Sequence, residues 1–275
     1  MTLRPKKSLG QHFLNSKHVL DQIISAADIK ADENILEIGP GTGVLTEALI
    51  TSGAKVVAVE MDERSVDMLK EKFSKEISAS QLQLIRGDIL APSSFLLPPS
   101  FSIIANIPYY ITGAILEKFL EHEPRPSRMV LLVQKEVAKR ILGSLPGGEG
   151  KESVLSISVK SFGTPKIIAT VPPGAFTPPP TVDSAILSIE NISADTFSSE
   201  ESSDVAIRFF FSIVKAGFAH KRKFLIRNLE ILMDKDALKS LWGGLNLNEK
   251  IRAEDLTVEQ WLQIATMGLS KKKSG

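Results

Sequence analysis

Length, composition and charge predict a folded, soluble chain and exclude several kinds of site. The 275 residues can bury a sizeable core, and 43 % hydrophobic with 24 % charged residues is ordinary for a globular protein. The lack of cysteine excludes disulfides, thiolate metal sites and cysteine nucleophiles, and four scattered histidines without a zinc-binding spacing lead us to expect no metal. Because the net charge is only +1, affinity for nucleic acid must come from local basic patches.

Two segments have some features of a targeting or membrane sequence. The basic N-terminus MTLRPKKSLGQHFL has no apolar core, so it does not resemble a secretory signal. Residues 89–116 carry no charge, but four prolines interrupt them, so we expect no membrane span. We therefore expect a cytoplasmic protein, and the lack of acids before Asp21 leaves an organelle transit peptide open.

Apolar strands alternate with helices along the first 190 residues. Strands are predicted at 34–38, 55–59, 82–86, 101–105, 129–133, 166–170 and 182–189. Helices are predicted from the glycine turn at 39–43 to about Ser52, from an Asp62 cap to about Lys75, at 112–121, and after the loop at 144–153. This alternation indicates an α/β domain with a doubly wound, mostly parallel sheet.

The pattern changes after residue 190. Residues 191–204, NISADTFSSEESSD, are rich in serine and acids and are typical of a linker or long surface loop. Beyond them only helical patterns follow, as far as Ala265. We predict a first domain at 1–192, a linker at 193–203 and a small helical domain at 204–275.

A glycine-rich turn, Glu37-Ile-Gly39-Pro-Gly41-Thr-Gly43, follows the first of these strands. Glycines let the backbone turn sharply and approach a ligand at the start of the next helix, although many such turns are merely tight turns. Glu60 ends the next strand about 20 residues later, where an acid accepts hydrogen bonds from ribose hydroxyls. Together they predict a nucleoside site. A dinucleotide fingerprint would need glycine at Val44, so a nicotinamide dehydrogenase is not favoured.

The fourth strand ends in Asn106-Ile107-Pro108-Tyr109. The side-chain oxygen of Asn106 and a backbone carbonyl, that of Ile107 for example, could accept both N–H bonds of an exocyclic adenine amine and make its nitrogen more nucleophilic. Pro108 fixes the backbone and Tyr109 offers a flat face for an extruded base. The alternative is a strand that simply ends in a proline turn.

Several motifs carry a family resemblance. The E-x-G-x-G-x-G turn resembles the first motif of S-adenosylmethionine-dependent methyltransferases, and Asn-Ile-Pro-Tyr resembles the RNA branch of N6-adenine methyltransferases. The stretches SLGQHFL (8–14), NIPYYIT (106–112), AFTPPPTVDSAIL (175–187) and GFAHKRKFLIRNL (217–229) resemble, in order, the small-subunit ribosomal RNA adenine dimethyltransferases. This resemblance runs from about residue 4 to beyond 260. It implies a Rossmann-like class I methyltransferase domain and a small all-α C-terminal domain.

The resemblance also implies roles for individual residues. Cofactor contacts are expected at His12, Leu14, Gly39, Gly41, Glu60, Asp88 and Asn106. His12 departs from the asparagine that is more common in the family. Asp88 matches an acid that contacts the adenine ring of the cofactor, with a turn cap as its alternative. Phe176 matches an aromatic side chain that helps to hold the target adenine beside residues 106–109, with core packing as its alternative.

Two basic clusters are candidates for binding RNA: Arg4, Lys6 and Lys7, and Lys221, Arg222, Lys223 and Arg227. From residue 204 onward thirteen Lys and Arg face eight acids, an excess that suits phosphate binding. The alternative is that these charges are only solvated.

The predicted function is S-adenosylmethionine-dependent dimethylation of two adjacent adenines near the 3′ end of small-subunit (16S) rRNA. The expected substrate is a 30S particle during ribosome biogenesis, and the enzyme is expected to be a monomer that needs no metal. One alternative is an erythromycin-resistance-type methyltransferase of large-subunit rRNA. Another is a non-catalytic assembly factor, which the intact glycine turn and the intact residues 106–109 disfavour.

Overall fold

A computed structural model describes residues 5–6, 10–91, 97–197 and 203–273. The strands of these residues are β1 (Phe13–Leu14), β2 (Asn34–Ile38), β3 (Lys55–Glu60), β4 (Leu82–Arg86), β5 (Ser102–Asn106), β6 (Met129–Gln134), β7 (Thr164–Val171), β8 (Phe176–Thr177) and β9 (Ser184–Glu190). The helices are α1 (Lys17–Ala27), α2 (Val44–Thr51), α3 (Glu63–Lys72), α4 (Ser74–Ser78), α5 (Thr112–Glu121), α6 (Lys135–Leu142), α7 (Val154–Lys160), α8 (Ser203–Gly217), α9 (Leu225–Leu229), α10 (Lys235–Gly244) and α11 (Val258–Lys273).

Seven strands form one mixed sheet in the order β4-β3-β2-β5-β6-β9-β7. Strands β2 to β6 run parallel, whereas β9 pairs antiparallel with both β6 and β7. The near-continuous apolar runs of the central strands fit this arrangement, because helices cover both faces of a parallel sheet. The strand order reverses between β2 and β5, and ligands of such sheets bind beyond the carboxyl ends of the strands at that point. The predicted α/β fold is confirmed.

The predicted elements agree closely with the observed ones along most of the sheet. Strands β2 and β4 and helix α5 have the predicted bounds. The predicted helix from Asp62 to about Lys75 is confirmed except at Phe73, which interrupts it. Phe73 leaves the helical conformation, with φ −111° and ψ 29°, and it is buried in the core, so α3 ends at Lys72 and a short α4 follows.

Packing divides the described residues into two compact units. One comprises those within Met1–Ala138 and Thr164–Ile192, and the other those within Lys139–Gly163 and Ser193–Gly275. The first unit ends at the predicted domain boundary, residue 192. The segment 139–163, which the sequence placed in the first domain, packs instead with the C-terminal helices.

The second unit has its own apolar core. The rings of Phe162 and Phe211 stack at 6.1 Å, and Phe210 meets Phe197 edge to face at 5.2 Å. Helices approach closely at Gly217, where an added Cβ would lie 2.4 Å from the Trp261 ring. Within the described ranges, no helix is both long and apolar enough to span a membrane.

Candidate functional site

The N-terminal segment pairs with β8 in a two-stranded antiparallel ladder that is separate from the seven-stranded sheet. In it Phe13 pairs with Thr177, and Leu14 pairs with Phe176. The amide of Asn15 also donates to the carbonyl of Ala175 at 2.9 Å. This ladder joins the motifs at 8–14 and 175–187, which are about 160 residues apart in the sequence.

The glycine turn lies where β2 ends and α2 begins. Gly41 has φ +56°, and an added Cβ would lie 2.9 Å from the Phe13 ring, so both conformation and contact require glycine there. At Gly39 (φ +66°) the nearest atom to an added Cβ is Cδ of Pro108, at 4.0 Å. The backbone of the turn therefore leaves space beside Pro108 that any other residue would occupy.

Glu60, at the end of β3, is almost fully buried. Its Oε2 accepts the backbone N–H of Gly41 at 3.1 Å, and its Oε1 accepts that of Asp62 at 2.8 Å. Burial raises the pKa of Glu60, while these backbone hydrogen bonds act to lower it. Each carboxylate oxygen has a further lone pair, so the side chain can still accept from a ligand.

Asp62 caps α3 as predicted, and it also binds side chains of the N-terminal segment. It accepts the backbone N–H of Arg64 as the cap of α3, and the Arg64 guanidinium holds the pKa of Asp62 well below its usual range. The side chains of Gln11 and Lys6 donate to the same carboxylate at 3.3 and 3.4 Å. Asp62 therefore ties the N-terminal segment to the end of β3.

Glu37, the first residue of the glycine motif, is a fully buried acid. Thr46 Oγ1 donates to its Oε2 at 2.7 Å. Burial raises the pKa of Glu37 to about 8, and the Thr46 hydrogen bond acts to lower it.

Asp88 follows β4 and is exposed. Its Oδ1 accepts the backbone N–H of Leu90 at 2.9 Å. This bond is the turn cap considered as an alternative to cofactor binding, and it engages only one of the two carboxylate oxygens. Cap and cofactor contact are therefore compatible.

Asn106, the last residue of β5, is held in one orientation. Its Nδ2 lies 3.1 Å from the backbone carbonyl of His12. Because a carbonyl only accepts, the Asn106 atom at that position must be the amide nitrogen. The side-chain oxygen therefore points away from His12 as an acceptor, as the proposed polarisation of an amine requires.

Tyr109 is half-buried, and two contacts hold its side chain in place. Its hydroxyl shares a 2.6 Å hydrogen bond with Ser184 Oγ, and its ring stacks on His12 with centroids 5.8 Å apart. His12 Nδ1 donates in turn to the carbonyl of Pro178 at 2.7 Å. Burial raises the pKa of Tyr109, so the phenol stays neutral and acts as a surface rather than a base.

Phe176 lies in the apolar core with 2 % of its surface exposed. It does not line the cavity described next. Core packing, the alternative for this residue, accounts for its position, and contact with a target base stays a prediction.

One cavity joins most of the predicted residues at the carboxyl edge of the sheet. All seven expected cofactor residues line it, as do Ile107, Pro108 and Tyr109. Ile38, Glu60 and Asn106 mark the carboxyl ends of β2, β3 and β5 around it. Among the described residues, no group of three or more His, Asp or Glu is placed to hold a metal ion.

The predicted basic residues fall into two groups. Lys6 is half-exposed and lies beside Asp62, while Arg4 and Lys7 are outside the described residues. In the second unit, Lys221, Arg222 and Lys223 are all exposed in the turn between α8 and α9. Arg227 pairs with Glu230 at 2.7 Å, which offsets part of its charge.

A buried asparagine shapes that turn. Asn228 donates to the carbonyls of Gly217 and His220, at 2.5 and 3.2 Å. Lys223 N–H also donates to the His220 carbonyl at 2.9 Å. The backbone that carries three successive cations is therefore fixed.

Comparison with known proteins identifies the family. The sequence profile of the family described as ribosomal RNA adenine dimethylase matches residues 2–268. The chain belongs to this family. Ribosomal RNA small subunit methyltransferase A of Dehalococcoides mccartyi is 41 % identical over 270 residues, which are 96 % of this chain and 88 % of the relative.

Solved structures agree with this assignment to the ribosomal RNA adenine dimethylase family. A dimethyladenosine transferase from Plasmodium falciparum superposes with a TM-score of 0.78 and 27 % identity, covering 95 % of this chain and 98 % of that one. The 23S rRNA methyltransferase ErmE, at 24 % identity, has the same fold, with a TM-score of 0.69 over 93 % of this chain and 98 % of its own. The predicted class I methyltransferase fold with a C-terminal helical region is confirmed.

Sequence reasoning assigned no role to several residues in and around this cavity. Met61 and Tyr110 line the cavity as exposed apolar side chains, and Ser184 holds the Tyr109 hydroxyl. Phe13 stood within a recognised motif, but only the structure reveals its contact with Gly41. Tyr110 also stood within a recognised motif, NIPYYIT (106–112), whereas the only signal for Met61 was that it directly follows Glu60.

Replacing Glu60 by alanine should weaken cofactor binding. The change removes up to two charge-assisted hydrogen bonds, each worth about 1.5–3 kcal/mol before water replaces part of them. It also frees the N–H groups of Gly41 and Asp62, which loosens the turn. Calorimetry measures the affinity, with thermal unfolding as a check that the variant is folded.

The matched control is Glu63→Ala. Glu63 is an exposed acid of α3 that pairs with Arg86, and it does not line the cavity. Unchanged affinity in a folded Glu60→Ala variant would remove Glu60 from the cofactor site.

Proposed function

We propose that this chain transfers methyl groups from S-adenosylmethionine to the N6 amine of adenine in small-subunit ribosomal RNA. The observation that carries the proposal is the orientation of Asn106, whose amide nitrogen is engaged by His12 and whose oxygen is left as an acceptor. The finer proposal is two methyl groups on each of two adjacent adenines near the 3′ end, within a 30S particle, in the cytoplasm, by a monomer.

The residues of the cavity suit that cofactor. S-adenosylmethionine, when bound, supplies an electrophilic methyl group on a sulfonium. In this proposal the buried side chain of Glu60 accepts from ribose hydroxyls, and Asp88 accepts from the adenine amine. The space beside Gly39 lets a ligand approach the backbone next to Pro108.

The chain's own contribution to transfer is to hold and polarise the adenine. The Asn106 oxygen accepts one N–H of the amine, and a backbone carbonyl near Pro108 accepts the other. Both contacts favour a pyramidal nitrogen with a more available lone pair. Positioning is then the main source of rate acceleration, because placing two reactants together avoids much of the entropic cost of their encounter.

The direct test uses labelled cofactor and three substrates. The enzyme is incubated with undermethylated 30S particles, with naked small-subunit RNA or with large-subunit RNA, and the modified base is mapped. Label in paired dimethyladenines near the 3′ end supports the full proposal. Label in large-subunit RNA would instead support the erythromycin-resistance alternative, and no label in any RNA would support the assembly-factor alternative.

Replacing Lys221, Arg222 and Lys223 by alanine should weaken RNA binding and flatten its salt dependence. If each cation contacts one phosphate, the log–log slope falls by up to about 3. Cofactor affinity should not change. Binding is measured by titration across a range of salt concentrations.

A charge-matched control separates local contact from bulk charge. Lys235, Lys239 and Lys250 are also exposed cations of the second unit, and their triple alanine variant should keep most of the slope. If both variants flatten the salt dependence equally, or if neither does, the 221–223 turn faces solvent and is not a specific RNA contact.

A further inference from the structure

Tyr110 is an exposed aromatic residue beside the cavity. It is 63 % exposed, more than any other Phe, Tyr or Trp in the described ranges, and it lines the cavity with Tyr109. An exposed aromatic ring at the edge of a cavity offers a flat surface on which a base can stack.

The two neighbouring tyrosines have different surroundings. Tyr109 has its hydroxyl on Ser184 and its ring on His12. Tyr110 rests on the backbone of Gly10, where an added Cβ would lie 3.4 Å from its Cδ1 and Cε1 atoms. One side of the Tyr110 ring is therefore supported, while most of its surface remains available to a ligand.

Local backbone geometry keeps the two rings together. Residues Tyr109–Ile111 form a single 3-10 turn directly after Pro108, and Thr112 then starts α5. Thr112 Oγ1 donates to the Tyr109 carbonyl at 3.2 Å, which ties the turn to the helix. Both tyrosines therefore project from a fixed turn, and consecutive Cα atoms are only about 3.8 Å apart.

We propose that Tyr110 is a stacking platform for the nucleotide next to the target adenine. This inference rests on the proposed function, in which the adenine occupies the site formed by residues 106–109. An extruded adenine brings its neighbours in the strand to the cavity opening, where Tyr110 lies. Any base can stack on an aromatic ring. Tyr110 therefore adds affinity and holds the RNA strand in position without recognising a particular base.

The test is a double-mutant cycle between Tyr110 and the neighbouring base. Tyr110→Ala should lower kcat/KM on RNA by roughly tenfold, the scale expected for loss of one stacked base. Substrates with an abasic nucleotide directly 5′ or 3′ of one target adenine are assayed with both enzymes, and methylation is scored at that adenine alone. At one of the two positions the abasic substrate should show a similar loss with wild type and little further loss with Tyr110→Ala.

Additional variants exclude a merely structural role. Tyr110→Phe and Tyr110→Trp should restore activity, and cofactor affinity should be unchanged in all three variants. Ile168→Ala, at an exposed apolar residue of β7 that does not line the cavity, is the matched control and should behave as wild type.

Two outcomes would overturn the proposal: wild-type activity of Tyr110→Ala, or losses that simply add at both flanking positions. Failure of the proposed function has a different result. In that case the wild-type enzyme itself methylates no adenine in the 30S particle or in intact small-subunit RNA.

Discussion

Asn106→Ala should reduce methyl transfer on the order of a hundredfold or more, the scale seen when one polar group that stabilises a reacting centre is removed. The variant lacks the oxygen that accepts from the amine. It also loses the 3.1 Å hydrogen bond to the His12 carbonyl, which helps to hold the N-terminal segment beside the cavity. Single-turnover transfer is measured with saturating cofactor, since cofactor affinity is expected to fall as well.

A second variant and a control identify the cause of that loss. Asn106→Asp keeps an acceptor but cannot donate to His12, so it should retain more transfer than Asn106→Ala if the acceptor dominates. Asn34 lies at the opposite end of the sheet, where it donates to the Ser100 carbonyl, and Asn34→Ala should transfer at the wild-type rate. Equal rates for Asn106→Ala and wild type would mean that residues 106–109 only end a strand and do not act on the adenine.

Local patterns were sufficient to predict the central part of the site. The run NILEI, the glycines at 39–43 and an acid ending the next strand are each short-range signals, and parallel strands bring their carboxyl ends to one edge. That is why Glu60 and Asn106 could be expected at one site from sequence alone. The sheet order and the cavity lining agree with that expectation.

Contacts that depend on distant pairing could not be predicted in this way. The ladder of β1 with β8 is two residues long, too short for any periodicity, yet it sets His12 against Tyr109 and buries Phe176. Likewise, nothing in the sequence of 139–163 separates this segment from the first domain. Its Phe162 has apolar partners, Phe197 and Phe211, that come only after residue 192.

Tyr109→Ala should lower methylation roughly tenfold or more while leaving cofactor affinity nearly intact. The change removes a stacking surface worth about 1–3 kcal/mol for one base, and none of the cofactor contacts argued above uses the Tyr109 side chain. Binding to the ribosomal particle should persist, because phosphate contacts elsewhere carry most of the affinity. Methyl incorporation and particle binding are measured side by side.

The contact with Ser184 refines this prediction. Tyr109→Phe keeps the ring but gives up the hydrogen bond to a fully buried serine, at a cost of about 1 kcal/mol, so most activity should remain. Ser184→Ala breaks the same bond, and the double variant should lose little more than either single one, because both changes remove one interaction. Strictly additive losses would mean that the bond does not orient the ring. Wild-type methylation by Tyr109→Ala would contradict stacking of the target base on Tyr109. The contact between His12 and Tyr109 would then be packing alone.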